Sequence, residues 1–248
     1  KRLAAGKPMR AIFSCGRSIG LRRLCLRLLL EEGMLELARN QADLWWQPLR
    51  IGREELVHQE LRRRRYLRSP RGLRISWVDR PEQLGEAFEH LGWARAVGLD
   101  LELSLKGAPA LLQLATPHHA VLVDLLALGS CTALGVVLAG LFANAATVKL
   151  GFGGTQDVKY LRKLPSLSAC LERPPEPYVD VQKLAKDHPA ASSGGLGLSA
   201  ISQAVLGRPL DKQLQVSDWT RRPLSEAQAR YAAMDAWVLL ELHDRLRQ

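Results

Sequence analysis

Four carboxylates and one phenol in this 248-residue chain sit where a core pattern alone would not place them. Asp100 and Glu102 close an apolar run over residues 97–101. Residues i and i+2 of a strand share a face, roughly 6–7 Å apart. Two ionised carboxylates at that spacing repel by roughly 2–3 kcal/mol at an effective dielectric of ~20, so something must offset them. Tyr231 and Asp235 are four apart in Tyr-Ala-Ala-Met-Asp-Ala. On a helix that puts them on one face, with Cβ atoms about 5–6 Å apart. Ala232, Ala233 and Ala236 surround Asp235 with small side chains, which lets such a helix pack closely. Asp157 opens a predicted helix just after a predicted strand over 147–150. Each acid has a plain reading: a strand end entering solvent, an exposed helix stripe, a helix start favoured by the dipole. As a set they can converge at the edge of one sheet, where divalent cations would make them tolerable. All-oxygen ligands without His or Cys suit Mg²⁺ or Mn²⁺ rather than zinc. Two such ions about 4 Å apart form a clamp for in-line attack on a phosphodiester, one activating water and the other stabilising the leaving oxygen.

The elements that must position these residues follow from periodicity. Over 18–68 the apolar residues recur at helical spacing, through Leu21, Leu24, Leu28, Met34, Leu35, Leu37 and Ala38. They predict two or three amphipathic helices, broken near Gly33 and Gln47-Pro48. The last, over 54–67, carries Arg62, Arg63, Arg64 and Arg65. That run reads as a solvated helix face, as a phosphate contact, or as a nuclear-import signal. Trp45 and Trp46 either pack helices or stack bases. Ser69-Pro70-Arg71-Gly72 is a turn-forming boundary between a basic helical segment, 1–70, and a domain over 71–248. Beyond it, runs over 96–101, 110–115 and 120–123 predict three successive strands of a meander. A helix over 132–142, the strand over 147–150 and a helix over 155–164 follow. Pro-rich and Pro/Ser/Gly-rich stretches over 172–178 and 188–197 read as loops. Helices resume over 198–206 and 225–246, the second with Ser225 as its N-cap. Strands followed by alternating helices and strands predict an α/β fold, a mixed sheet flanked by helices.

Composition narrows the class of partner. With 47% hydrophobic and 24% charged residues the chain is an ordinary globular protein, not a disordered, collagen-like or disulfide-scaffold one. Its net charge of +10 is uneven. Residues 1–75 hold 18 Lys and Arg against 7 Asp and Glu, or +11, and the remainder is −1. The basic segment is therefore the expected tether for a polyanion. Cys15, Cys25, Cys131 and Cys170 form no CxxC pair or zinc spacing, which suits a reduced compartment: the cytoplasm, with the nucleus as the alternative. The run over 24–30 is broken by Arg27 and too short to span a bilayer, so no membrane partner is expected. The chain begins at Lys1 rather than Met and is expected to be a fragment excised from a longer protein.

The motifs carry a resemblance. Asp100-Leu101-Glu102 is followed by Leu111-Leu112-Gln113-Leu114-Ala115-Thr116 and Leu122-Val123-Asp124. Lys149-Leu150-Gly151-Phe152 runs into Asp157 and Leu161. Tyr231-Ala232-Ala233-Met234-Asp235-Ala236 is preceded by Leu210-Asp211-Lys212 and by Ser217-Asp218-Trp219-Thr220-Arg221-Arg222-Pro223-Leu224. Over about residues 73–248 the chain resembles the DEDDy branch of 3′-to-5′ exonucleases, the ribonuclease D-like group with an RNase H-like fold. Within it the sequence is most similar to the Nibbler/mutator-seven type, which trims RNA 3′ ends and carries helices ahead of the exonuclease domain. The resemblance implies that Asp100, Glu102, Asp157 and Asp235 hold two ions, Mg²⁺ or Mn²⁺, and that Tyr231 orients the attacking water. It implies nucleic-acid contacts near the sheet edge at Lys212 and Trp219, although a buried Trp is more often core than a stacking platform. The implied substrate is single-stranded RNA with a free 3′ end, presented by a complex carrying small RNA, with nucleoside 5′-monophosphates released. A DNA exonuclease of the Werner type, and a non-catalytic nucleic-acid-binding scaffold, stay open as alternatives. Two local features depart from the commoner pattern: Leu103 where an aromatic residue is frequent, and Gly153-Gly154-Thr155-Gln156 ahead of Asp157.

Overall fold

The computed structural model describes residues 18–31, 34–44, 65–168, 171, 175–186, 188–189 and 195–248. The chain divides into two compact units, one of Lys1–Arg68 with Asp211–Ser217, the other of Ser69–Leu210 with Asp218–Gln248. In the first unit, α1 (Ile19–Glu31) packs against α2 (Leu35–Leu44). Cys25, Leu26, Leu29, Leu37, Ala38 and Ala42 are buried, whereas Leu21 and Leu24 are exposed. A leucine-rich helix offers more than one apolar stripe, and spacing alone selects the wrong one at this end of α1. Arg62, Arg63, Arg64, Trp45 and Trp46 lie outside the described residues. Among the described residues, no helix is long and apolar enough to cross a membrane.

The second unit is built on a six-stranded sheet in the order β1-β4-β3-β2-β5-β6. Its strands are β1 (Arg74–Val78), β2 (Ala96–Leu103), β3 (Pro109–Ala115), β4 (His119–Asp124), β5 (Val148–Gly151) and β6 (Tyr178–Asp180). The predicted meander is present as the antiparallel pairs β2/β3 and β3/β4, and β1/β4, β2/β5 and β5/β6 are parallel. The two outer strands escape the sequence pattern. β1 is a five-residue edge strand and β6 has three residues, the first of them at the end of the stretch read as a Pro-rich loop.

Helices cover both faces. α3 (Leu84–Gly92) follows β1, α4 (Leu125–Leu128) and α5 (Thr132–Ala143) follow β4, and α6 (Gln156–Leu161) and α7 (Pro165–Ser168) follow β5. After β6 come α8 (Val181–Lys186), α9 (Leu198–Leu206) and the 21-residue α10 (Glu226–Leu246). Alternation along β2 sorts the two sides. Val97, Leu99 and Leu101 join the main core with Phe88 and Leu91 of α3, Leu138 and Leu141 of α5, and Val158 and Leu161 of α6. Gly98, Asp100 and Glu102 belong to the opposite side, where α10 packs on β2 and β3.

That packing is unusually close at one point. A Cβ on Gly98 would lie 2.0 Å from the backbone carbonyl oxygen of Ala236, so only glycine lets the helix backbone rest on the strand there. Small residues complete the seam, with Ala232, Ala233 and Ala236 all buried. The start of α10 is fixed by Ser225, whose side chain accepts from the Gln228 N–H while Gln228 Oε1 accepts from the Ser225 N–H. This reciprocal cap satisfies two donors that the first helical turn would otherwise leave open. Buried Lys149 donates to the carbonyls of Asn144 and Glu176, tying β5 to the chain entering β6. Burial lowers that ammonium to about 8.

Candidate active site

Asp100 and Glu102 project from β2, and the close approach at Gly98 brings α10 over them. Asp235 immediately precedes Ala236, the residue at that contact. Ligand oxygens of Asp100, Glu102 and Asp235 consequently lie within 4.8 Å of one another, Asp235 being 4% exposed and the others half-buried. At that spacing each ionised pair repels by about 3–4 kcal/mol at an effective dielectric of ~20. A β-bulge falls between Glu102 and Leu103, so the regular ladder ends at the second carboxylate. The donor set is all oxygen and converges from a strand and a helix, which fits a hard divalent cation.

Tyr231 stands one helical turn before Asp235 and donates its hydroxyl to that carboxylate. Burial first, then the charges of Asp235, Glu102 and Asp100, hold the phenol well above its ordinary range. It is therefore a neutral hydroxyl at physiological pH, able to orient but not to act as a base. Its ring is backed by Trp219, with centroids 5.7 Å apart. Trp219 is only 2% exposed. A ring so covered favours the packing role that the sequence also allows, behind Tyr231, over a stacking contact with a base. Lys212 belongs to the Asp211–Ser217 segment of the first unit, as Arg65 belongs to Lys1–Arg68. The Arg65 guanidinium lies over the Tyr66 ring, 5.7 Å from its centroid.

Asp157 is not part of the group of three. It occupies the first turn of α6, and burial raises its carboxyl to about 6. Its charge is felt by Tyr178 on β6.

The pairings of two sets of supporting residues escape a reading of the sequence. Arg222 grips Asp124 with two bonds of 2.6 Å, donates to the carbonyls of Trp219, Arg221 and Ala110, and lies over Trp77 at 5.0 Å. This fork fixes the loop that carries Trp219 and enters α10. Asp124 also caps α4 by accepting from the Leu126 N–H. The second set is Tyr178 and Asp180, the first and last residues of β6. Their bonds to Gly154 and Gly153 span 24 and 27 residues, so no local pattern announces them.

The sequence profile of the 3′-5′ exonuclease family matches residues 75–248. The chain belongs to this family. The chain is 32% identical over 195 residues to the exonuclease mut-7 homolog of Homo sapiens, covering 70% of this chain and 22% of that protein. In structure it is similar to the Nibbler EXO domain of Aedes aegypti, with a TM-score of 0.64 and 25% identity, covering 73% of this chain and 90% of that one. It is also similar to Trypanosoma brucei RNase D, solved in complex with RNA U12, with a TM-score of 0.56 and 25% identity over 69% of this chain and 62% of that one. The chain spans between 18% and 30% of the length of three curated relatives, the human one among them. The mixed sheet flanked by helices is thus the fold shared by RNase D-like and Nibbler exonucleases.

Proposed function

We propose that this chain is a metal-dependent exonuclease that hydrolyses single-stranded RNA from a free 3′ end and releases nucleoside 5′-monophosphates. The observation that carries the reading is the group of Asp100, Glu102 and Asp235 with the Tyr231 hydroxyl bound to Asp235. Asp100, Glu102, Asp157 and Asp235 would hold two divalent ions, which supply acidity for water and charge stabilisation for the leaving oxygen. The protein's own residues do the rest. Tyr231 stays protonated and presents a fixed hydroxyl with which to orient the attacking water. Glu102, at the end of the regular ladder, accepts from the terminal 3′-hydroxyl and so favours a free end. Trp219 and the Arg222 fork hold Tyr231 in place. RNA as substrate is supported by similarity to an RNase D solved with RNA, and 3′-end trimming of small RNA by similarity to mut-7 homologues. The basic residues 1–70, with Arg62 to Arg65, tether the strand through its phosphates, and a complex carrying small RNA is the partner that would present it.

The test is a time course with labelled single-stranded RNA and DNA, each ending in a 3′-hydroxyl, in Mg²⁺, Mn²⁺ or chelator. Stepwise shortening of RNA with release of 5′-mononucleotides is expected, dependent on metal and abolished in folded Asp235→Ala. A folded Asp235→Ala protein that still shortens RNA overturns the assignment. Preference for DNA would move the substrate to the Werner type.

A further inference from the structure

Between β5 and α6 the chain makes a loop, Gly151-Phe152-Gly153-Gly154-Thr155, that delivers Asp157. Gly153 and Gly154 both have positive φ, at 75° and 88°, a conformation that other residues rarely adopt. Two adjacent left-handed glycines leave a loop with little intrinsic stiffness. Its shape must be imposed from outside, and β6 does so at two points. The Tyr178 hydroxyl donates to the carbonyl of Gly154. The Asp180 carboxylate accepts from the N–H of Gly153 at 3.1 Å, while the same oxygen accepts from the N–H of Gln182 at 3.0 Å at the start of α8. Gly151 admits the tyrosine, since a Cβ there would lie 2.0 Å from the Tyr178 hydroxyl oxygen. Burial and the charges of Asp180 and Asp157 keep that hydroxyl protonated, so it stays a donor.

We infer that Tyr178 and Asp180 are positioning residues for metal binding: they clamp the glycine loop and thereby set where Asp157 stands relative to Asp100, Glu102 and Asp235. The inference rests on the two-ion reading above. Three carboxylates are already grouped without Asp157. Loosening the loop therefore spares the ion those three can hold and weakens the one that needs Asp157. Loss of a residue that orients a ligand costs about 10- to 100-fold in metal affinity.

Mn²⁺ binding, counted by electron paramagnetic resonance without nucleic acid, tests this on the whole chain, with thermal melts to confirm folding. Wild type is expected to bind two ions. Tyr178→Phe and Asp180→Ala should each keep one ion at wild-type affinity and bind the second about 10- to 100-fold more weakly. Asp180→Asn retains an oxygen for the Gly153, Gln182 and Lys183 N–H groups and should stay close to wild type. RNA cleavage by Tyr178→Phe should recover at raised Mn²⁺. Lower melting temperatures with an unchanged two-ion isotherm would make the clamp merely structural and overturn the inference, as would equal weakening of both ions. A folded Asp235→Asn protein that still cleaves would overturn the two-ion reading itself, a separate failure from that of the clamp.

Discussion

Replacing Asp157 by asparagine should stabilise the metal-free protein while disabling the enzyme. Burial holds this carboxyl at about 6, against 3.8 for the ordinary group. The folded state thus binds the proton more tightly than the unfolded state does. The contribution of Asp157 to stability is most favourable below 3.8, falls as pH rises towards about 6, and is level above that. That rise corresponds to about 3 kcal/mol, and partial solvent screening at this half-buried position reduces it to about 1–2 kcal/mol. At about pH 7.5 in chelator, Asp157→Asn should melt about 2–8 °C above wild type, and most of that gap should vanish near pH 4. Added Mn²⁺ should raise the wild-type melting temperature more than that of the variant, because a cation relieves the charge that the substitution has removed. Differential scanning calorimetry at the two pH values, with and without Mn²⁺, reads all of this. A gap that is the same at both pH values, or a variant that melts below wild type at neutral pH, would refute the desolvated-carboxylate argument.

Two other outcomes follow from the geometry and a third from the charge pattern of the sequence. Gly98→Ala must displace the Ala236 carbonyl, which costs about 1–3 kcal/mol or more, and any folded fraction should bind Mn²⁺ weakly because Asp235 has moved from Asp100. Tyr231→Phe should fold normally and lower kcat by about 10²- to 10³-fold with KM little changed, and wild type should show no alkaline limb from this hydroxyl, whose proton is held above its ordinary range. Changing Arg62, Arg63, Arg64 and Arg65 to Gln should reduce the slope of log K against log salt for single-stranded RNA by about 0.7 for each phosphate no longer neutralised, and an unaltered slope would return those arginines to a solvated face.

What can be read in the sequence is whatever has a short period. Asp100 and Glu102 stand out because a strand repeats every two residues and the apolar positions between them mark the other face. Tyr231 and Asp235 stand out because four residues make a helical turn among small side chains. Sequence leaves Trp219 open between packing and stacking because its burial behind Tyr231 depends on a neighbour twelve residues on and on the path of a loop. The Arg222–Asp124 fork spans 98 residues, and the Asp180–Gly153 bond spans 27. Such pairings leave no periodic trace. Nor does a three-residue strand such as β6, which exists because β5 offers it a parallel edge rather than because of its own composition. The consecutive glycines ahead of Asp157 are visible as a departure, but their purpose appears only with the strand that holds them.

The close approach at Gly98 has a bearing on when the enzyme comes into being. The two halves of the carboxylate group are 135 positions apart, one on β2 and the other on a helix whose docking closes that span. During synthesis the sheet can assemble and bury its main core before α10 has been made, and at that stage Asp100 and Glu102 face a bare surface. Pairings of such long sequence separation form late and slowly. Hydrolytic competence should therefore lag behind the appearance of compact structure in refolding.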